Sequence, residues 1–298
     1  MVKKRIPKRR KREEEDQDQT PAIVEIHGPE LGKIITLEQE SIIIGSGKLA
    51  RILVEDDTVS LAHAELKITD EKNVIIRDLK SSNGTFVNFV PIENVQLKNG
   101  DDIQIGPTVF RFFSENVQDA CKEELQHLAT YDGLTGLYNR KAFKEHMELE
   151  ITRCKHYGRD LSVFIYGLDN ISDHERVLGD VAVDNILVHV TRVVASHLGK
   201  SEYHARYGND EFAILLPEVN QAEALQKAEI IRKSVQNSRF TWAQEPLKVT
   251  ISIGVATFEK NMEDAQDFMD EIDKNLYQST KAGRNRVIGL EGGVTRCS

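Results

Sequence analysis

Asp210 and Glu211 stand side by side in the stretch 205–218, ARYGNDEFAILLPE. Two adjacent carboxylates can hold a divalent cation or exchange a proton with a substrate. They are equally ordinary as solvated residues of a turn. Gly208-Asn209 offers a tight, permissive turn, with an apolar run at 212–216 behind it, so the spacing predicts a β-hairpin presenting both acids. Other chemistry-bearing residues are scattered. The nine histidines show no metal-ligand spacing, and Cys121, Cys154 and Cys297 neither pair nor cluster.

Two different rhythms surround this hairpin. From Ala22 to about Phe113 the chain runs through short apolar or alternating segments: AIVEI, KIITL, SIIIG, RILV, AELKI, NVIIRDL, TFV, VQL, DIQI and VFRFF. Turn clusters such as HGPELG, EDD, TDEKN, SSNG and KNGD separate them, a pattern that predicts an antiparallel sandwich. Beyond residue 115, Val117, Cys121, Leu125 and Leu128 recur at helical spacing and predict a linking helix of about four turns. A helix near 139–157 follows, then a strand at 161–168 and a long helix striped by Val183, Ile186, Leu187, Val190 and Val194. After the hairpin come a helix bearing Leu225, Ala228, Ile231 and Val235, the strand VTISIGVATF, a last helix and the strand RVIGL. This order predicts an α+β domain, a mixed sheet with flanking helices. The expected boundaries are a tail at 1–21, an all-β sandwich at 22–114, a linking helix at 115–130 and the α+β domain at 131–298. Trp242 reads as packing in a loop, and Ser252 and Gly254 as a closely packed strand.

At 298 residues the chain has room for two cores, and 40% hydrophobic residues place it among globular proteins. No apolar run approaches the ~18 residues of a membrane span. The basic start leads into acids rather than an apolar segment, so no signal peptide is read, and a reducing cytoplasm is the expected setting. The first twelve residues carry eight Lys or Arg and no acid, leaving the rest still more acidic than the net −9. Such a body excludes general nucleic-acid binding. The tail itself reads as disordered, solubilising, or a contact for an anionic surface.

IIIGSG, VSLAHAEL and RDLKSSNGTFVN together resemble the forkhead-associated (FHA) domain, a phosphothreonine-binding sandwich. The resemblance covers roughly 22–113 and rests on Gly45, Ser60, His63 and Asn83-Gly84-Thr85. It implies that Ser60 hydrogen-bonds a phosphate, Asn83 holds the peptide backbone and His63 braces the loops. Two positions depart from the family pattern: its arginines are replaced by Ser46 and Leu61. Lys48 and Arg51 are the nearby cations available to compensate, and docking of an unphosphorylated protein is the alternative. Thr20-Pro-Ala-Ile23 resembles a peptide such domains accept, making Thr20 a candidate phosphosite.

DGLTGLYNR at 132–140, the hairpin GNDEF, ISIGVA and LYQSTKAGRNRV resemble the ordered motifs of GGDEF domains, the diguanylate cyclases, over about 130–290. The resemblance implies GTP held with Mg²⁺ and attack of a 3′-hydroxyl on an α-phosphate, two protomers meeting to make cyclic di-GMP. Carried over, Asp210 is a metal ligand and Glu211 the neighbouring acid implicated in catalysis. Asp184 reads the guanine edge and Arg284 binds phosphate. Against this, the principal metal-binding aspartate is Gly167, leaving Asp169 as the substitute ligand. The family's Phe and Lys are Ile171 and Ser172, and its guanine-reading Asn is Glu175. The late phosphate lysine is Thr280, with Lys281 one step, about 100°, around the helix. Asn209 replaces the second glycine of the signature, tolerating a left-handed turn while crowding the nucleotide side. The inhibitory RxxD site for cyclic di-GMP reads Gly199-Lys-Ser-Glu202 and lacks its arginine.

Loss of one electrostatic group commonly costs about 100-fold in rate, and here several go together. The sequence thus points to a cytoplasmic signalling scaffold, an FHA docking module coupled to a degenerate GGDEF domain, with Mg²⁺ only where nucleotide is bound. Its expected partners are a phosphothreonine-containing or other protein and, through the GGDEF domain, a second copy or an active cyclase. The alternatives are an active diguanylate cyclase regulated by the FHA domain, and a receptor that binds GTP or cyclic di-GMP without turnover.

Overall fold

The computed structural model describes residues 20–69, 73–114, 117–243, 245–259, 262 and 264–289. The amino-terminal tail up to residue 19 therefore lies outside the described residues. The chain divides into two compact units, Met1–Ala129 and Thr130–Ser298.

The first unit is a β-sandwich. One sheet holds β2 (Ile34–Thr36), β1 (Ala22–His27), β11 (Thr108–Phe113), β10 (Asp102–Ile105), β7 (Thr85–Val87) and β8 (Val90–Ile92), in that order. The other holds β4 (Ile52–Leu53), β3 (Ser41–Gly45), β5 (Ala64–Ile68), β6 (Val74–Asp78) and β9 (Asn94–Gln96). Alternate residues point inward, so Ile42, Ile44, Leu66 and Ile76 meet Ile103, Ile105, Phe110 and Phe112 in one core. Two details differ from the sequence expectation. The β3–β4 pair is parallel, because the intervening loop carries the chain across rather than back. Strand β8 was not foreseen, since Pro91 within a three-residue run reads against a strand. It forms because Asn88 and Phe89, at φ 52° and 63°, make a two-residue turn from β7.

Helix α1 (Val117–Leu128) belongs to this unit. Val117, Cys121 and Leu128 are buried, and Arg111 on β11 reaches Glu124 at 3.1 Å as well as Asp102 at 2.8 Å.

In the second unit the sheet order is β13 (Tyr203–Arg206), β14 (Glu211–Pro217), β12 (Leu161–Leu168), β17 (Ile251–Thr257) and β18 (Val287–Gly289). All pairs are antiparallel except β17–β18. The central strand β12 is mainly apolar because both of its faces are covered. Val163 and Ile165 pack with α2 (Arg140–Tyr157) and α6 (Ala265–Lys281). Phe164 and Tyr166 pack with α4 (Asp180–Ala195) and α5 (Gln221–Asn237). A Cβ on Gly254 would lie 2.3 Å from the Leu276 backbone nitrogen, so glycine is what lets α6 lie directly on β17. Trp242 is in a small hairpin of β15 (Phe240–Trp242) and β16 (Glu245–Leu247) rather than in a loop.

One helix escaped the sequence reading. Helix α3 (Ile171–Leu178) precedes α4, separated from it by Gly179 at φ 80°. It is eight residues long and none of them is fully buried, so its apolar side, Ile171 and Leu178, is too short a stretch to stand out as a stripe. No helix among the described residues is long and apolar enough to cross a membrane.

Candidate functional site

The end of β12, the β13–β14 hairpin and one face of α6 enclose a cleft of about 590 Å³. Asp210 and Glu211 line it, as does Gly167, which pairs across the sheet with Glu211. The hairpin closes by its own backbone: the Tyr207 and Gly208 amides both donate to the Glu211 carbonyl, at 2.8 and 2.9 Å. Neither Gly208 nor Asn209 has positive φ, so the expected left-handed turn is not used. The expected crowding by Asn209 is absent too. Its side chain is exposed and outside the cleft wall, while its carbonyl accepts from Arg206 at 2.8 Å. Arg206 also reaches Asp132 at 3.3 Å in a largely buried pair, tying the DGLTG turn to the hairpin.

Two acids in the cleft are electrostatically strained. Burial raises the Glu211 carboxyl above the usual range, helped by Asp210 and Asp273 and opposed by Arg140. Burial likewise raises Asp273, with Asp270 adding and Arg140 opposing. The Arg140 guanidinium lies over the Tyr207 ring, 4.5 Å from its centroid. Asp273 was missed in the sequence, although a signal was there. Asp273, Leu276, Tyr277 and Thr280 follow helical i, i+3, i+4, i+7 spacing, and all four line the cleft.

Asp169 requires a correction. Its carboxylate is only 6% exposed and is engaged by three donors. These are the Thr250 hydroxyl at 2.7 Å, the Ser252 hydroxyl at 2.6 Å and the Asn285 amide at 3.0 Å. It lines the cleft, yet it staples the ends of β12 and β17 to the loop before β18, and these three donors occupy most of the acceptor capacity that the substitute-ligand role would need. Ser252, read as packing alone, is one of those donors. Among the described residues no group of three or more His, Cys, Asp or Glu is placed to hold a metal.

The remaining expected nucleotide contacts fall into two sets. Arg284, at φ 60°, lines the cleft together with Thr280. Lys281 lies with its ammonium 5.4 Å from the centre of the Tyr277 ring and outside the wall. Asp184 is buried on α4 and Glu175 exposed on α3, neither lining the cleft. At the position of the inhibitory site, Glu202 accepts from the Gly199 amide at 2.6 Å and pairs with Lys227 on α5.

A second recess, of about 770 Å³, opens among the loops at one end of the sandwich. His63 is fully buried between them. Its Nδ1 accepts from the Ser60 amide at 3.2 Å, leaving the Nε2 proton to donate to the Gly84 carbonyl at 3.0 Å. The Ser60 hydroxyl accepts from the Ser82 amide at 3.1 Å, and Asn83 donates to the Thr58 carbonyl at 2.6 Å. The Ser46 hydroxyl is turned inward to the Val59 carbonyl at 2.6 Å. Ser46, Ser60 and Ser82 line the recess, but Lys48, Arg51 and Asn83 do not. The expected compensating cations are therefore missing from the wall. Glu55, Asp56 and Asp57 line it instead. Thr20, expected within the tail, is half-buried and lines an apolar recess with Ile34, Val117 and Cys121.

The sequence profile described as "Diguanylate cyclase, GGDEF domain" matches residues 129–286, more than half of the chain. The chain belongs to the GGDEF family. It also carries an FHA domain, matched over residues 42–106. Diguanylate cyclase DgcP of Pseudomonas aeruginosa is 32% identical over 165 residues, 55% of this chain and 24% of its own length. Response regulator PleD of Caulobacter vibrioides is 32% identical over 176 residues, 57% of this chain and 39% of its own. This chain thus spans well under half the length of either. The GGDEF domain of DgcB from Caulobacter crescentus, solved in complex with c-di-GMP, superposes with a TM-score of 0.53 at 29% identity, over 55% of this chain and 94% of that one.

In the GGDEF cleft the donor set suits a hard cation carried in with phosphate rather than an all-protein cage. Mg²⁺ is held by one or two carboxylates plus phosphate oxygens and water, and Asp210 and Glu211 are the two carboxylates that would hold it. Bound there, the ion would neutralise charge on the phosphates. Arg284 would meet a phosphate from the facing wall, while Tyr207 and Tyr277 supply apolar surface.

Proposed function

We propose that this chain is a signalling protein whose GGDEF domain has lost cyclase turnover and whose FHA domain docks a protein partner. One observation carries the first half. Where the family resemblance expects the principal metal carboxylate stands Gly167, and the neighbouring Asp169 is tied up by Thr250, Ser252 and Asn285. The cleft then keeps Asp210 and Glu211 without the carboxylate across the sheet. Phosphoryl transfer depends on positioning and charge neutralisation more than on covalent chemistry, so this deficit falls on the step that matters.

The test is incubation of the purified protein with GTP and Mg²⁺ beside its Asp210→Ala variant, with product separated chromatographically. No cyclic di-GMP above the variant is the expected result. Product that forms and disappears in the variant would restore the active-cyclase reading. A second reading, nucleotide binding without turnover, is favoured by Asp210, whose carboxylate has no hydrogen-bond or ion-pair partner among the described residues, facing a cleft shared with Arg284. Calorimetric titration with GTP and with cyclic di-GMP separates it from pure scaffolding.

A further inference from the structure

We propose that the open edge of β2 pairs with the same edge of a second copy of the chain, joining two sandwiches through one continuous sheet. This surface is separate from both the FHA recess and the GGDEF cleft, so the proposal stands whatever those two bind. Backbone direction is the first observation. β2 ends its sheet, and no strand lies beyond it among the described residues. The Leu37 amide donates to the Pro21 carbonyl at 2.8 Å, and the Glu25 amide to the Lys33 carbonyl at 3.0 Å. Such bonds fall on alternate residues of an antiparallel strand, so Lys33, Ile35 and Leu37 turn their backbone groups toward β1. Ile34 and Thr36 turn theirs outward. The other edge of this sheet, β8, is guarded by Pro91, whereas Ile34–Thr36 holds neither proline nor charge.

Side chains are the second observation. Helix α1 packs on β1 and β11, where Ala22 and Val24 are wholly buried, but their neighbours across the ladder, Thr36 and Ile34, stay exposed. An apolar recess of about 430 Å³ remains between α1 and β2, lined by Ile34, Val117, Cys121 and Leu125 among others. Ile34 is 42% exposed, Leu125 39% and Leu31 57%. They adjoin one another, since a Cβ added to Gly32 would lie 3.1 Å from the Leu125 Cδ2. Aliphatic side chains beside an unguarded edge mark a surface that gains by being covered.

Symmetry and charge name the occupant. About a two-fold axis at Ile35, Ile34 faces Thr36 of the second copy, and each outward N–H of one copy meets a carbonyl of the other. Ile34 of the second copy then adds its side chain to the same apolar face. The recess wall carries one charge of each sign, Glu38 and Lys122, so it is complementary to itself rather than to a strongly charged partner. The residues that lead into Thr20, EEEDQDQ at 13–19, hold no apolar side chain to bury there. A second copy supplies both the missing strand and the aliphatic cover.

Sedimentation equilibrium of the full chain from about 1 to 200 μM should show a monomer–dimer equilibrium. Ile34→Pro and Thr36→Pro each delete an outward N–H and leave the bonds to β1 in place, so each should weaken the dimer about tenfold or more. Leu125→Ser, which leaves the edge intact, should weaken it about threefold. Melting curves at the lowest concentration check that the variants are folded. Hydrogen exchange on the unmodified chain needs no variant: the Ile34 and Thr36 amides should slow as concentration rises, while Ile35 is protected at every concentration. A chain that stays monomeric throughout that range overturns the proposal. So does a dimer that both proline variants leave untouched, because its interface then lies elsewhere. Ile34 and Thr36 amides protected in the monomer and released by deleting residues 1–19 also overturn it, and make the tail the occupant.

Discussion

At the end of β12 the GGDEF cleft presents Gly167, where an added Cβ would meet nothing closer than the Glu211 Cγ at 3.9 Å. At the mouth of the FHA recess, by contrast, Ser46 and Leu61 stand where the family pattern has arginines, and Glu55, Asp56 and Asp57 line the same wall. The first surface has lost a charge and kept the room for it. The second has lost its cations to neutral residues and is left with carboxylates as the only charges in its wall among the described residues. A deletion leaves the neighbours poised and is reversible by one side chain, whereas a loss of cations beside carboxylates must be undone at several positions together. The same contrast runs through the two buried histidines. His63 has both ring nitrogens satisfied by loop backbone, while His204 bonds the Tyr166 hydroxyl at 2.8 Å through Nε2 and leaves Nδ1 without a partner.

The most damaging single change should be Asp169→Ala. It strands the Thr250 and Ser252 hydroxyls and the Asn285 amide, of which Ser252 is fully buried and the other two partly so. Hydrogen bonds to a charged acceptor contribute about 1.5–3 kcal/mol each, and stranded donors add desolvation cost. With partial relaxation, a loss of about 3–5 kcal/mol is expected in chemical denaturation, with or without Mg²⁺ and GTP. A variant as stable as the parent, defective only when Mg²⁺ is supplied, would reinstate Asp169 as a ligand and erase the contrast drawn at β12.

Acid should act next, on the second unit. Burial pushes the His204 pKa from 6.5 down to about 3. The folded state keeps the ring neutral while the unfolded chain takes up a proton below pH 6.5. Stability attributable to this group is therefore complete above about pH 6.5 and declines as pH falls toward 3. At pH 5 the loss is about 2 kcal/mol. Denaturation curves at pH 7 and pH 5 measure it, and His204→Gln should flatten the difference. A pH response that persists undiminished in His204→Gln places its origin in the carboxylates.

Much of this architecture was legible because burial writes itself into sequence. Strands β12, β14 and β17 are covered on both faces and read as mainly apolar runs. Helix α4 buries a stripe and shows one. Helix α3 buries nothing fully, and its amphipathic side spans only eight residues, too few to be read as a stripe. The hairpin acids were legible as a pair, but their surroundings were not. Asp169 takes its partners from positions 250, 252 and 285, a convergence that only the sheet register creates. The EDD run at 55–57 reads as an ordinary turn, and only the packing of the loops turns it toward the recess. Asp273 was passed over because its helix was read for its apolar side and its missing lysine, not for the face toward Arg140.

The finest test of this contrast changes one residue in each domain. Gly167→Asp has space and ordinary backbone geometry, so the fold should tolerate it at a cost of about 1 kcal/mol or less. In the empty cleft the new carboxylate repels Asp210 and Glu211. With Mg²⁺ and GTP present it gains a cation to face, so Mg²⁺-dependent GTP affinity should rise about tenfold, some 1.4 kcal/mol. The matching change in the FHA recess, Leu61→Arg, restores one guanidinium while Glu55, Asp56 and Asp57 remain. Affinity for a phosphothreonine peptide should then improve by no more than about twofold, because the acids screen and pair the new cation. Titration calorimetry reads both. If Leu61→Arg alone yields firm phosphopeptide binding, the acidic wall is no barrier and the two domains were depleted in the same way. If Gly167→Asp leaves GTP binding unmoved, the deficit in the cleft extends past the end of β12, to the phosphate side where Thr280 stands.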